Sequence, residues 1–291
     1  MTFNDNARLD PNKVKRSRGR TAAGIGVGGG VGAIAIFLIS QLLGVDLSGI
    51  AGGGGGTGPA PSEDQSLEQC DTGQDANASI DCRMVGAATA LDDYWAAEAP
   101  SLGIDNYFTP DFILFTGQQD TGCGAATSAV GPFYCPPDTT VYLDTGFYDD
   151  LTNKYGASGG PLAQLYVVAH EWGHHIQNLT GALQASQSGE TGPSSGSVRV
   201  ELQADCYAGA WAAAASRTED ASGTPFLEPI TDAQIADALS AASAVGDDRI
   251  QGTDAHSETW THGSSEKRQQ WFLSGYQNGP EGCDTFSPAT P

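Results

Sequence analysis

The spacing of apolar and polar positions changes character near residue 67. Beyond that point the chain carries regular elements. In "SIDCRMVGAATALDDYWAAEAPSLG", Met84, Ala87, Ala88, Leu91 and Trp95 recur at three- and four-residue intervals, the period of a helix that buries one face. "FTPDFILFTGQQD" reads as extended. "GCGAATSAVGPFYCPPDTTVYLDTGFYDDL" reads as a loop, a short strand at Thr140 to Leu143, and a turn into a helix. "GPLAQLYVVAHEWGHHIQNLTG" predicts a helix opening after Gly159–Gly160. Pro161 sits in its first turn, where a missing N–H costs nothing, and Gly181 is the candidate terminator. After the loop "QASQSGETGPSSGSVR" comes a second long helix, "VRVELQADCYAGAWAAAAS". A third, "TDAQIADALSAASAVGDDRI", has Thr231 as cap and Gln234 as its capping-box partner. "SSEKRQQWFLSGYQNG" is a last helix capped by Ser264 or Ser265. The expected fold class is α+β, one mostly helical domain with a small sheet over residues 68–291.

Before that point the pattern is different. Residues 1–20 hold six of the 13 Lys and Arg, namely Arg8, Lys13, Lys15, Arg16, Arg18 and Arg20. Residues 21–45, "TAAGIGVGGGVGAIAIFLISQLLGV", carry no charge. At about 1.5 Å per residue this run is long enough to cross a bilayer, and the basic flank favours the cytoplasmic side. The expectation is a basic cytoplasmic tail at 1–20 and a transmembrane helix at 21–45. A Gly/Pro-rich linker at 46–67 follows, with the domain outside a single-pass cell-membrane anchor and the lipid bilayer as a partner. A cleaved signal peptide and a glycine-rich core helix are the alternatives.

Six cysteines, Cys70, Cys82, Cys123, Cys135, Cys206 and Cys283, all follow the apolar run, as suits an oxidising compartment. Cys70 with Cys82, Cys123 with Cys135 and Cys206 with Cys283 are the expected bridges, among about 15 full pairings that six cysteines allow. A four-cysteine metal site is the rival, although no tight Cys-x-x-Cys pair is present. The formal net charge of -22 disfavours nucleic acid, whose phosphates need positive charge.

Three of the five histidines fall in "HEWGHH". His170 and His174 are one helical turn apart, so both imidazoles can reach one metal ion, and Glu171 is displaced around the helix to act as general base on water. His175 points about 100° away from His174 and is a poor partner for it. A catalytic zinc usually takes three protein ligands. "VELQADC" supplies the third candidate: Glu201 as ligand, and Asp205 four residues on to accept from the outer nitrogen of His170. An exposed helix face is the plainer reading of these two carboxylates.

"AHEWGHHIQNLTG" followed by "VRVELQADCYAGAWA", with "GPFYCPPDTTVYLD" before and "THGSSEKRQQWFLSGY" after, resembles the bacterial family called putative neutral zinc metallopeptidase, a set of membrane-anchored proteins. The resemblance runs over about residues 68 to 286, plus the basic tail and anchor. It implies a zincin-like domain and one zinc ion held by His170, His174 and Glu201. It also implies Asp205 orienting a histidine, Glu171 as base, and a peptide or protein substrate. His262 is the favoured donor to the oxyanion, with Arg268, Tyr134 and Tyr142 as further candidates. The strand "TTVYL" is either the edge along which a peptide lies or a core strand. The expected reaction is peptide-bond hydrolysis. The alternatives are an envelope protein with a structural zinc and a zinc amidase acting on cell-wall peptides.

Overall fold

The computed structural model describes residues 2–17, 64–65, 67–184, 189–251 and 256–291. The elements in chain order are β1 (Lys15–Ser17), β2 (Asp64–Gln65), α1 (Gly73–Ala78), α2 (Ile80–Glu98), β3 (Asp111–Phe115), β4 (Gln118–Thr121), β5 (Gly124–Thr127), β6 (Phe133–Cys135) and β7 (Thr140–Asp144). The helices α3 (Phe147–Asn153), α4 (Pro161–Thr180), α5 (Gly196–Ala214), α6 (Asp232–Ala244), α7 (Asp247–Ile250) and α8 (Ser265–Asn278) follow.

Five strands form one sheet in the order β2-β1-β3-β7-β6. β3 runs parallel to both β1 and β7, while β6 and β2 pair antiparallel at the two edges. Successive side chains on a strand face opposite ways, and the sheet uses both faces. Phe112, Leu114, Tyr134, Val141 and Leu143 join the main core with the helices. Phe115, Phe133, Cys135 and Tyr142 join a smaller core with Cys123, Ala126 and Val130. That smaller core lies under the β4–β5 hairpin, which the Cys123–Cys135 disulfide staples to β6. The other two bridges, Cys70–Cys82 and Cys206–Cys283, also form as expected.

Among the helices, α4 packs on α5 and α6, and α5 packs on α8. The α4 core stripe is Leu162, Leu165, Ala169, Trp172 and Ile176, all at most 1 % exposed and three or four residues apart. The α5–α8 crossing is close because it is built on glycines. A Cβ on Gly209 would lie 1.9 Å from the Phe272 carbonyl oxygen, and one on Gly275 would lie 1.8 Å from that of Cys206. Pro161 opens α4 and Gly181, at φ 82°, closes it. Thr231 and Gln234 form their capping box, and Ser264 caps α8. The third helix, expected as one element, is broken at Val245–Gly246 into α6 and α7. A side chain at 246 would collide with the Ser265 backbone nitrogen, 2.5 Å from the ideal Cβ.

The N-terminal expectations need correction. The expected transmembrane helix at 21–45 lies outside the described residues, as does nearly all of the expected linker. Among the described residues no helix is long and apolar enough to cross a membrane. The fold class is therefore an α+β domain with no spanning helix in its described part, and the single-pass cell-membrane location with a cytoplasmic N-terminus is overturned. The physical reason lies in the sheet. Residues 15–17, before the apolar run, pair with residues 64–65 and 113–114, after it. A single crossing would put these strands on opposite sides of a bilayer. Residues 2–17 are also part of the packed domain. Phe3, Ala7, Leu9 and Val14 are buried in the main core. Lys13 pairs with Asp92 and Arg16 with Asp81, both on α2. The basic run neutralises an acidic helix.

Candidate functional site

Helices α4 and α5 run antiparallel, and Gly173 sets how near they come. An added Cβ there would lie 3.0 Å from Ala204 Cα, so a larger residue would hold the helices apart. Tyr166, His170, His174 and Gln177 form a polar stripe on α4 that faces Glu201 and Asp205 on α5. His170 Nε2 lies 3.2 Å from Glu201 Oε2, and His174 Nε2 lies 3.6 Å from Glu201 Oε1. One donor atom from each of the three residues falls within 4.8 Å of the others. The two imidazole planes stand at 84°.

The other side of each imidazole is held. His170 Nδ1 donates to Asp205 Oδ1 at 2.9 Å. Asp205 is 0 % exposed and also accepts from Tyr166 and, in a fork, from Arg268 Nε at 2.7 Å and Nη2 at 3.0 Å. Burial alone would raise the Asp205 pKa, but Arg268 and His170 outweigh it and hold the carboxylate ionised. With its Nδ1 proton given to Asp205, His170 turns Nε2 toward the Glu201 oxygens, where either a proton or a metal ion would bridge the two groups. Burial raises the Glu201 pKa, but His174, His170 and His262 reverse this and keep it well below the usual range. When protons alone balance the cluster, burial lowers His170, but Asp205 and Glu201 overcome that and push it up to about 10. Two imidazole nitrogens and a carboxylate around one point are the donor set that zinc takes at a catalytic site. The residues present fit the ion.

Glu171 is 8 % exposed. Burial raises its pKa, which the nearby His174 and His170 offset only in part. A carboxylate with raised proton affinity suits a general base. Tyr134, on edge strand β6, lies near Glu171 through its main chain. Its hydroxyl is occupied elsewhere, donating to His175 Nδ1 at 3.0 Å and accepting from Asn178. His175 donates from Nε2 to the Phe108 carbonyl at 2.8 Å, and burial drives its pKa down to about 4. It is a neutral pin between α4, β6 and the loop before β3.

The remaining candidates separate. His262 is 4 % exposed and near enough to Glu201 to act on it electrostatically. Its Nδ1 is 3.3 Å from Asp247 Oδ1, and Asp247 also accepts the backbone N–H groups of Thr261, His262 and Gly263. Sequence reasoning missed Asp247, whose only trace is a doubled aspartate after Gly246. Arg268 spends its donors on Asp205, Tyr166 and the Val245 carbonyl, so it balances charge behind His170. Tyr142 donates to Asp138 from the smaller core, on the sheet face away from the helices. Its strand, β7, lies between β3 and β6, so "TTVYL" is an interior strand and β6 is the edge.

Fold and site together define an α+β domain with a candidate two-histidine, one-carboxylate metal site on adjacent helices. A family profile described as "Putative neutral zinc metallopeptidase" matches residues 4–286, and the chain belongs to that family. The match begins inside the N-terminal segment that packs into the domain. An uncharacterized protein of Mycobacterium tuberculosis is 47% identical over 299 residues, covering 99% of each chain, and one from Mycobacterium bovis is similar to the same extent. The uncharacterized protein YpfJ of Escherichia coli is 38% identical over 262 residues, covering 87% of this chain and 85% of its own. No solved structure matches.

Proposed function

We propose that the chain is a zinc-dependent metallopeptidase that hydrolyses peptide bonds, with His170, His174 and Glu201 as the metal ligands. The observation that carries this reading is the convergence of their donor atoms within 4.8 Å, beside a buried glutamate. Bound zinc supplies Lewis acidity, lowering the pKa of water and polarising a scissile carbonyl. Glu171 takes the proton from the attacking water and delivers it to the leaving amine. His262, braced by Asp247, donates to the developing oxyanion. Among the described residues β6 pairs on one side only, and its other edge offers main-chain groups to an extended substrate, which strand addition would align beside Glu171. A structural zinc would call for a fourth protein ligand, and the cluster among the described residues contains three.

The test is Glu171→Gln. The variant is expected to hold about one zinc per chain, as the wild type does, and to lose peptide hydrolysis by about 100-fold or more. Hydrolysis at the wild-type rate would remove Glu171 from the base role.

A further inference from the structure

The outer nitrogens of the two facing histidines are held by different chemistry. His170 Nδ1 meets an anion. His174 Nδ1 lies 2.8 Å from Gln177 Oε1, a neutral amide oxygen. Gln177 is 0 % exposed. Its Nε2 donates to the Val200 carbonyl at 2.7 Å and to Gln203 Oε1 at 3.1 Å. Gln203 Nε2 donates in turn to the main-chain carbonyl of Cys283 at 2.9 Å. A carbonyl oxygen can only accept, so the run of amides has one sense. Both Nε2 protons of Gln177 are committed to acceptors, which leaves its oxygen turned to the imidazole. His174 Nδ1 must then carry a proton, and Nε2 presents its lone pair on the side of Glu201. The far end of the run is tied covalently, because Cys283 is bridged to Cys206 on α5, the helix that also carries Glu201 and Gln203.

We infer that Gln177, Gln203 and the Cys206–Cys283 bridge form a neutral positioning chain that sets the tautomer of His174 for metal binding. The inference rests on the metal reading of the site above. Gln177 and Gln203 act through His174. The disulfide acts one step further out, by keeping the Cys283 carbonyl where Gln203 can reach it. One imidazole is thus backed by a carboxylate–guanidinium pair and the other by amides, so the second adds no charge to a cluster that already holds three carboxylates.

The test uses the full chain freed of metal and then titrated with zinc against a chromophoric chelator. Cobalt(II) is bound in parallel, so that its visible absorption reports ligand geometry. Gln177→Leu is expected to weaken zinc about 10- to 100-fold, the range for removing a ligand's outer partner, and to shift the cobalt bands. Gln203→Leu and the Cys206→Ala/Cys283→Ala pair should weaken zinc less, in the same direction. Combining them should cost no more than either alone, since they act along one path. In the zinc-loaded wild type, long-range proton–nitrogen NMR correlation should show His174 protonated at Nδ1 and bare at Nε2. This reading needs no variant to fold. The opposite tautomer overturns the inference. So does wild-type zinc affinity with an unchanged cobalt spectrum in Gln177→Leu, when Glu201→Ala has lost zinc. Zinc retained by Glu201→Ala overturns the site reading, and this inference with it.

Discussion

Asp205 serves two neighbours whose demands differ. It holds the Nδ1 proton of His170 and neutralises Arg268, which is 2 % exposed. Removing the carboxylate leaves a buried guanidinium without its partner, a loss of about 3–5 kcal/mol when one member of a buried pair is deleted. Asp205→Ala is therefore expected to destabilise the metal-free chain by about that much in a denaturant titration. It should also weaken zinc about 10- to 100-fold. A variant with unchanged stability would show that Arg268 finds another counter-charge. The face shared by Glu201 and Asp205 was legible from the four-residue spacing of "ELQAD", while the choice of His170 as partner of Asp205, 2.9 Å away, came from the metal reading of the motif. The roles of Gln177 and Gln203 were not, because a neutral amide on a buried helix face has no signature until the partner helix is in place.

At the scale of elements, the helices were legible wherever a cap and an apolar stripe coincided, as at Thr231 with Gln234 or Pro161 with Leu162 and Leu165. Strand β6 was not. All three of its residues, Phe133, Tyr134 and Cys135, are buried, so no alternation marks it, although it forms the edge nearest Glu171. The interlock of α5 and α8 is a second feature that spacing does not announce. Gly275 lies against the Cys206 carbonyl, with 1.8 Å left for a methyl group. Gly275→Ala must push α8 outward, and α8 carries Arg268. Overpacking of this kind costs about 1–3 kcal/mol. Gly173→Ala meets its neighbours only at 3.0 Å or beyond and is expected to cost less. Thermal melts of the two variants check the order; a reversal would place the tighter constraint at the α4–α5 crossing.

The whole molecule closes on its own N-terminal segment. The basic run resembled a membrane flank because charge density alone does not say where the counter-charges are. Here they are Asp92 and Asp81 on α2 and Asp111 on β3, and the Arg8 backbone N–H is held by Asp220 at 2.7 Å. Phe3 is 1 % exposed and packs where a Cβ on Gly86 would reach its ring at 2.6 Å. Asp92 carries the linkage inward, since it also accepts from Tyr107, whose hydroxyl receives the indole N–H of Trp172 inside the His170–His174 segment. Phe3→Ala is expected to cost about 3–5 kcal/mol and to lower the melting temperature of the entire domain in one transition. An unchanged melting temperature would make the segment a separate tail.

The central claim is that His170, His174 and Glu201 hold one zinc ion between adjacent helices. Anomalous diffraction at the zinc edge, on crystals of the zinc-loaded full chain, tests it most directly. The expected result is a single peak about 2.0–2.2 Å from both Nε2 atoms and a Glu201 oxygen. A zinc peak bonded to other residues, or zinc-loaded crystals with no peak at this position, would contradict it.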